Sequence, residues 1–303
     1  MIAASHILTP DTRSIDWRQP VNWANPLNHG LVSWWLAIPN HTSGTSTWRD
    51  LCVKNDGTLT NFANVDTAWQ TQGQPGGFGA LGFDGTDDYV DVPDSPGLRM
   101  TGDAFTLSVL GRPTNAAFAG AMGVSKKAGP LWNQSSGWTI YHNDQYDIVD
   151  FITDTPASSA DYARFSGLAA NYDTYTQYLI TGIRGASRTS VAFYVNGDLY
   201  DDTKTPLNIV GATDTVRIGQ RDPGSYAECR TADVRIWDRA LTASEIQDYY
   251  HRSQRYYPGL LNRPTRRSVF VPSTGTTITP ATLSISAALQ GSPPVSSRTI
   301  EVT

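Results

Sequence analysis

Cysteine is scarce in this chain: among 303 residues there are two, Cys52 and Cys229. They match no zinc-ligand spacing and no CxxC redox motif. A disulfide between them needs Cα atoms within about 7 Å; buried free thiols are the expected state. Lysine is scarce too, and the net charge is −5. Nucleic-acid binding needs clustered positive charge, so that class of partner is not expected. The densest basic stretch, RPTRR at 263–267, reads as a solvated segment or as a salt-bridge donor to a neighbouring subunit. Only three glutamates occur, Glu228, Glu245 and Glu301. Glycosidases need two carboxylates flanking the scissile bond, and no ExDxE pattern is present. The five histidines are scattered, and HExxH, GxSxG and GxxxxGK[ST] are all missing. A non-enzymatic protein is therefore expected. No apolar run reaches the roughly 18 residues of a membrane span. The first twenty residues lack a basic n-region and an apolar h-region, so no secretory signal is expected.

Glycine and proline, at 26 and 18 residues, suit short strands joined by many turns. Residues 1–28 read as an N-terminal arm, with Pro10, Pro20 and Pro26 and no periodicity. Residues 29–252 read as a β domain. Candidate strands are LVSWWL (31–36), GALGFDG (79–85), DYVDV (88–92), AFTLSVLGR (104–112), GWTIYH (137–142), DIVDFIT (147–153), YTQYLITGIR (175–184), TSVAFYV (189–195), DTVRIG (214–219) and TADVRIWD (231–238). Many alternate apolar and polar residues with period two. Asn196-Gly197 between two apolar runs predicts a type I′ hairpin. In LTASEIQDYYHRS, Thr242 and Glu245 form a capping box at the start of a helix. Ten or so strands with one short helix predict an all-β sandwich. Residues 253–303 form a C-terminal extension rich in Ser, Thr and Pro, in which TLSISAAL fits an added strand.

The densest acidic stretch is FDGTDDYVDVPD, residues 83–94. Asp84-Gly85-Thr86-Asp87 has turn chemistry, because Asp side chains bond nearby amides and Gly tolerates positive φ. Val90 and Val92 then face a core, and Tyr89 and Asp91 point the other way. The spacing differs from the loop of an EF-hand; a structural turn is the expectation and metal ligation the alternative.

Seven segments in order, GLVSWWLA, NDGTLTN, FDGTDDYVDVPDSPGL, FTLSVLGRP, SVAFYVNGDLY, VRIGQR and ADVRIWDRALTASEIQDYY, resemble the laminin-G-like branch of the concanavalin A-like jelly rolls. The resemblance covers roughly residues 30–252. It implies a two-sheet antiparallel jelly-roll sandwich that binds glycans or proteins, often with calcium. The calcium positions it implies are Asp50, Asn55 or Asp56, and Asp233. Where the family has a consecutive acidic pair, this chain has Ala232-Asp233, which removes one ligand. In LWNQSSGWTIYHNDQY, Trp132 is the candidate for an exposed ring that stacks on sugar. Tyr141 is a second carbohydrate-binding candidate, with core packing as the alternative for it and for Trp138.

RQPVNWANPLNHGLVSWWL at 18–36 and TPATLS at 279–284 are similar to phage-encoded laminin-G-like proteins. That similarity implies a virion-surface protein, a capsid decoration or fibre-like component. Its partners are then the major capsid protein and further copies of this chain, with a trimer fitting threefold positions. Trp17, Trp23, Tyr256 and Tyr257 are the expected assembly anchors, since buried aromatics dominate interfaces. The alternatives are a soluble, calcium-assisted carbohydrate-binding module and a glycoside hydrolase or lyase.

Overall fold

In the computed structural model, the described residues are 21–37, 46–70, 79–100, 104–113, 123–127, 137–143, 148–152, 162–166, 178–185, 190–204, 213–222 and 224–254. By compactness the chain divides into two units, Met1–Arg263 and Pro264–Thr303. All described residues belong to the first.

They form two large antiparallel sheets, each of eight strands. The first sheet runs β14 (Asp198–Lys204), β13 (Val191–Val195), β12 (Tyr178–Arg184), β7 (Phe105–Pro113), β18 (Glu228–Trp237), β5 (Ala80–Asp84) and β4 (Trp69–Gln70). Its eighth strand, β1 (Leu31–Leu36), pairs with the second half of β18, and β5 pairs with the first half. The second sheet runs β11 (Tyr162–Ser166), β10 (Ile148–Ile152), β9 (Gly137–Asn143), β8 (Gly123–Lys127), β15 (Val216–Ile218), β6 (Tyr89–Val92), β3 (Gly57–Thr60) and β2 (Thr47–Trp48). A small hairpin, β16 (Gln220–Asp222) with β17 (Ser225–Tyr226), links β15 to β18.

The sheets face each other across one core. Leu81, Phe83, Leu107, Val109, Val234 and Ile236 come from the first sheet; Val90, Val92, Val124, Ile140, Val216 and Ile218 come from the second. Each such residue contributes about 1.5–3 kcal/mol by leaving water. The period-two patterns legible in YVDV and VRI serve this face: Val90, Val92, Val216 and Ile218 are all fully buried.

A second apolar layer covers the outer face of the first sheet. Trp34, Leu110, Tyr194 and Trp237 meet Val21, Leu27, Ile246 and Tyr249 there. Two helices are present among the described residues, the single turn α1 (Val65–Ala68) and α2 (Ala243–Ser253). The expected capping box starts α2: the Thr242 side chain accepts from the Glu245 amide, and Glu245 accepts from the Thr242 amide. Residues 21–28, placed in the arm by the sequence reading, are part of this layer. Leu27 and Asn28 are buried, and the Trp237 indole donates to the Leu27 carbonyl at 2.9 Å. Arg239 adds bonds to the carbonyls of Pro26 and His29. The short 3-10 turn Pro26–Asn28 brings them within reach. Its proline suits the first helical position because no amide hydrogen is lost there.

Within that layer lies a buried ion pair. Arg235 and Asp233 are bonded at 2.9 Å with both side chains fully shielded. The guanidinium lies over two rings, 3.5 Å from the centre of Trp34 and 4.4 Å from Tyr249. Cys52 and Cys229 are both buried free thiols. No helix among the described residues is long and apolar enough to cross a membrane.

Candidate functional site

The outer face of the second sheet is built by strand alternation. Burying Val90 and Val92 turns Tyr89 and Asp91 outward; burying Val216 and Ile218 does the same for Arg217. Register then aligns them. Thr58 on β3 stands opposite Asp91 on β6, Asp91 opposite Arg217 on β15, and Arg217 opposite Ser125 on β8. One polar row thus crosses four strands, with Thr60 opposite Tyr89 in the row beside it. Arg217 and Asp91 are about one-third exposed, at 34% and 35%, so this part of the row meets solvent. Their charged atoms are 3.9 Å apart.

Besides Asp91, Arg217 meets Tyr89 and Gln220. Its guanidinium carbon lies 5.4 Å from the centre of the Tyr89 ring. Its Nη1 donates to Gln220 Oε1 at 2.8 Å. The Tyr226 ring from β17 completes the group, 6.4 Å from Tyr89 and tilted 35°. Two phenol rings, a carboxylate acceptor, a guanidinium donor and threonine hydroxyls therefore share one partly exposed patch. Rings of this kind stack on apolar faces, and the carboxylate and guanidinium satisfy paired hydroxyls. The sequence reading turned Tyr89 and Asp91 outward but did not single out Arg217 or Tyr226. The outward position of Arg217 in VRI was the available signal.

Tyr141, expected to bind sugar, is 3% exposed, too little for a ring to stack on a ligand. Arg221 covers it, with its guanidinium carbon 4.7 Å from the ring centre. Trp138 is buried as well and donates to the Leu98 carbonyl. Trp132 lies outside the described residues, as do Trp17, Tyr256 and Tyr257. Trp23 is described and is 48% exposed.

Asp50, Asp56 and Asp233 are not brought together as a cation cradle, because protein donors take their oxygens. Asp50 accepts four backbone amides, from Trp34, Cys52, Lys54 and Asn55. Burial pushes its carboxyl upward against the pull of these four bonds. Asp56 accepts from the Asp50 amide and from Arg49. Asp233 accepts from Arg235 and from the Tyr249 hydroxyl. Asn55 is similarly committed, donating to Ser33 and accepting from Ser95. Asp50, Asn55 and Asp56 fix the loop between β2 and β3 against β1, Asp233 ties β18 to α2, and the set does not fit a calcium ion.

The turn before β6 has the expected form. Asp84 Oδ1 accepts from the amides of Thr86 and Asp87, and Gly85 sits at φ +76°. Asp88 reaches back, its Oδ2 accepting from the Asp84 amide at 3.1 Å. Asp88 is buried, and burial together with the charges of Asp84 and Asp87 pushes its carboxyl up to about 6.

The sequence profile described as Concanavalin A-like lectin/glucanases superfamily matches residues 84–247, more than half of the 303. The chain belongs to that superfamily. No curated protein matches it in sequence. Among solved structures, this lectin-like domain is similar to the binding domain of botulinum neurotoxin DC in complex with rat synaptotagmin II. That likeness has TM-score 0.54 and 17% identity, over 75% of this chain and 52% of the other. The same toxin domain in complex with SialylT gives TM-score 0.52 and 15% identity, over 76% and 52%. A Trypanosoma rangeli sialidase in complex with sialic acid gives TM-score 0.52 and 14% identity, over 74% and 33%. The chain spans about half the length of the toxin domains and a third of the sialidase. At these identities the likeness is one of fold.

Proposed function

We propose that this lectin-like protein is a non-enzymatic glycan binder that serves as an adhesive structural component on the surface of a virus particle. The patch of Tyr89, Asp91, Arg217 and Tyr226 carries the binding half of this reading. Tyr89 supplies a ring for the apolar face of a sugar, and Asp91 and Arg217 supply an acceptor and a donor for neighbouring hydroxyls. The toxin domains with a similar fold are binding domains by name, which supports the same use of the sandwich. A non-enzymatic role is supported by the described glutamates. Glu245 is occupied by the helix cap and by Arg239 at 2.7 Å. Glu228 lies opposite Asp84 in the pairing of β18 with β5, inside the turn framework.

The placement on a particle rests on the similarity of residues 18–36 and 279–284 to phage-encoded laminin-G-like proteins. In that arrangement the terminal segments attach the domain to a major capsid protein or to further copies of the chain, and the domain faces outward. A glycan array probed with the full chain tests the binding half: signal that falls with Tyr89→Ala supports it, and silence refutes it. Particle binding tests the other half. A chain lacking residues 1–20 keeps the packed segment from Val21 onward. It should remain folded and lose occupancy on capsids, and unchanged occupancy refutes attachment through this arm.

A further inference from the structure

Asp88 Oδ1 is shielded from solvent and has no hydrogen-bond partner among the described residues. The residue as a whole is only 5% exposed. Its other oxygen is explained by the bond from the Asp84 amide, but this one is not. A buried carboxylate oxygen without a donor is costly, because it has lost water and gained nothing. Two further carboxylates make the cost larger. Asp84, Asp87 and Asp88 are the one group of acidic, His or Cys side chains among the described residues with three ligand atoms within 4.8 Å of one another. No basic side chain among the described residues pairs with any of the three. Glu228, opposite Asp84 across the sheet, adds a fourth acidic residue nearby. Turn geometry accounts for Asp84 and for the backbone; it accounts neither for the open oxygen of Asp88 nor for the crowding of like charge.

We propose that Asp84, Asp87 and Asp88 bind a divalent cation of the hard, oxygen-seeking kind, calcium by ligand chemistry, at the turn that leads into β6. All three ligands are carboxylate oxygens, the set that favours such ions over softer metals. The ion supplies the missing partner of Asp88 and reverses the repulsion among the three. Asp84 and Asp87 are exposed, so a route from solvent exists and water completes the coordination. The site lies in a different loop from Asp50 and Asp56. Asp88 immediately precedes Tyr89 in the chain, and the aromatic patch does not need the cation for its existence. Cation binding at this turn is independent of glycan binding and is read out by the metal alone.

The test is calorimetric titration of the full chain, stripped with chelator, with calcium chloride, together with thermal melts with and without the ion. The expected result is saturable binding and a raised melting temperature. Asp87→Asn, an exposed change that leaves the fold intact, should weaken calcium binding at least tenfold. Asp88→Asn should abolish the ion-dependent shift while raising the melting temperature of the ion-free chain. Asp56→Asn should leave the affinity unchanged. The absence of binding to the wild-type chain overturns the proposal. Wild-type affinity in both Asp87→Asn and Asp88→Asn also overturns it, because the ion then sits elsewhere.

Discussion

Asp233 and Arg235 stand two positions apart on β18 and form a fully shielded ion pair at 2.9 Å on the outer face of the first sheet. Residues two apart on a strand share a face, so the sequence motif DVR places both charges under the layer made by α2 and residues 21–28. Tyr249 of α2 donates to the same carboxylate, tying the helix to the pair. Breaking such a pair from one side leaves a buried charge alone, which costs about 3–5 kcal/mol. Asp233→Asn should therefore lower the melting temperature by roughly 10 °C in a domain of this size. The double change Asp233→Leu with Arg235→Met should recover much of that loss. A single variant that melts with the wild type contradicts this assignment.

A second ion pair predicts a pH dependence. Asp94 binds Arg99 at 2.6 Å and the fully shielded Lys126, also at 2.6 Å. Bonds from Arg99, joined by those from Lys126, hold the Asp94 carboxyl below its ordinary 3.8. A carboxyl depressed by folding stabilises the fold above its unfolded value and loses that contribution as pH falls through its folded value. Asp94→Asn should cost about 3 kcal/mol at neutral pH, chiefly by stranding Lys126. Urea midpoints should show the gap between variant and wild type shrinking below pH 3.8, the reference value. A gap that stays constant with pH removes Asp94 as its cause.

Two glycines separate backbone strain from collision. Gly219 has φ +85°, and a Cβ there would lie 2.4 Å from the ring of Phe83. Gly224 has nearly the same φ, +88°, with nothing within 4 Å of its Cβ position. Gly224→Ala should cost only the left-handed penalty, about 1–2 kcal/mol. Gly219→Ala adds overpacking of a core ring and should cost about 1–3 kcal/mol more. Chemical denaturation of the two variants measures that difference directly; equal costs would mean that Phe83 moves aside freely.

How much of this was legible from the sequence depends on burial. LVSWWL coincides with β1, because both faces of that strand are covered and every residue is buried. YVDV and VRI read correctly because one face is apolar. The Asn196-Gly197 turn has positive φ at both positions, as its type demands. GVSKK and YARFS were not read as strands, although they form β8 and β11. Their propensity and patterning are weak, and they are held by neighbours in the sheet. In β8 the misleading residue is Lys126, which sits fully shielded because Asp94 and the Asp214 carbonyl accept its protons. The polar patch was only half legible for a similar reason. Tyr89 and Asp91 announce their direction locally, but their partnership with Arg217 and Tyr226 depends on a pairing more than a hundred residues away in the chain. The calcium positions implied by resemblance failed because Asp50 and Asp233 had become internal structural partners, which no local spacing reveals.

The most direct test of the account is the affinity of one array-identified glycan for the wild-type chain, Tyr89→Ala and Arg217→Ala, measured by calorimetry. A stacking ring and a charged donor each contribute about 1–3 kcal/mol. Glycan binding on this patch predicts a tenfold or greater loss for each variant with melting temperature unchanged. Wild-type affinity in both variants would place the glycan away from the outer face of the second sheet and contradict the central claim.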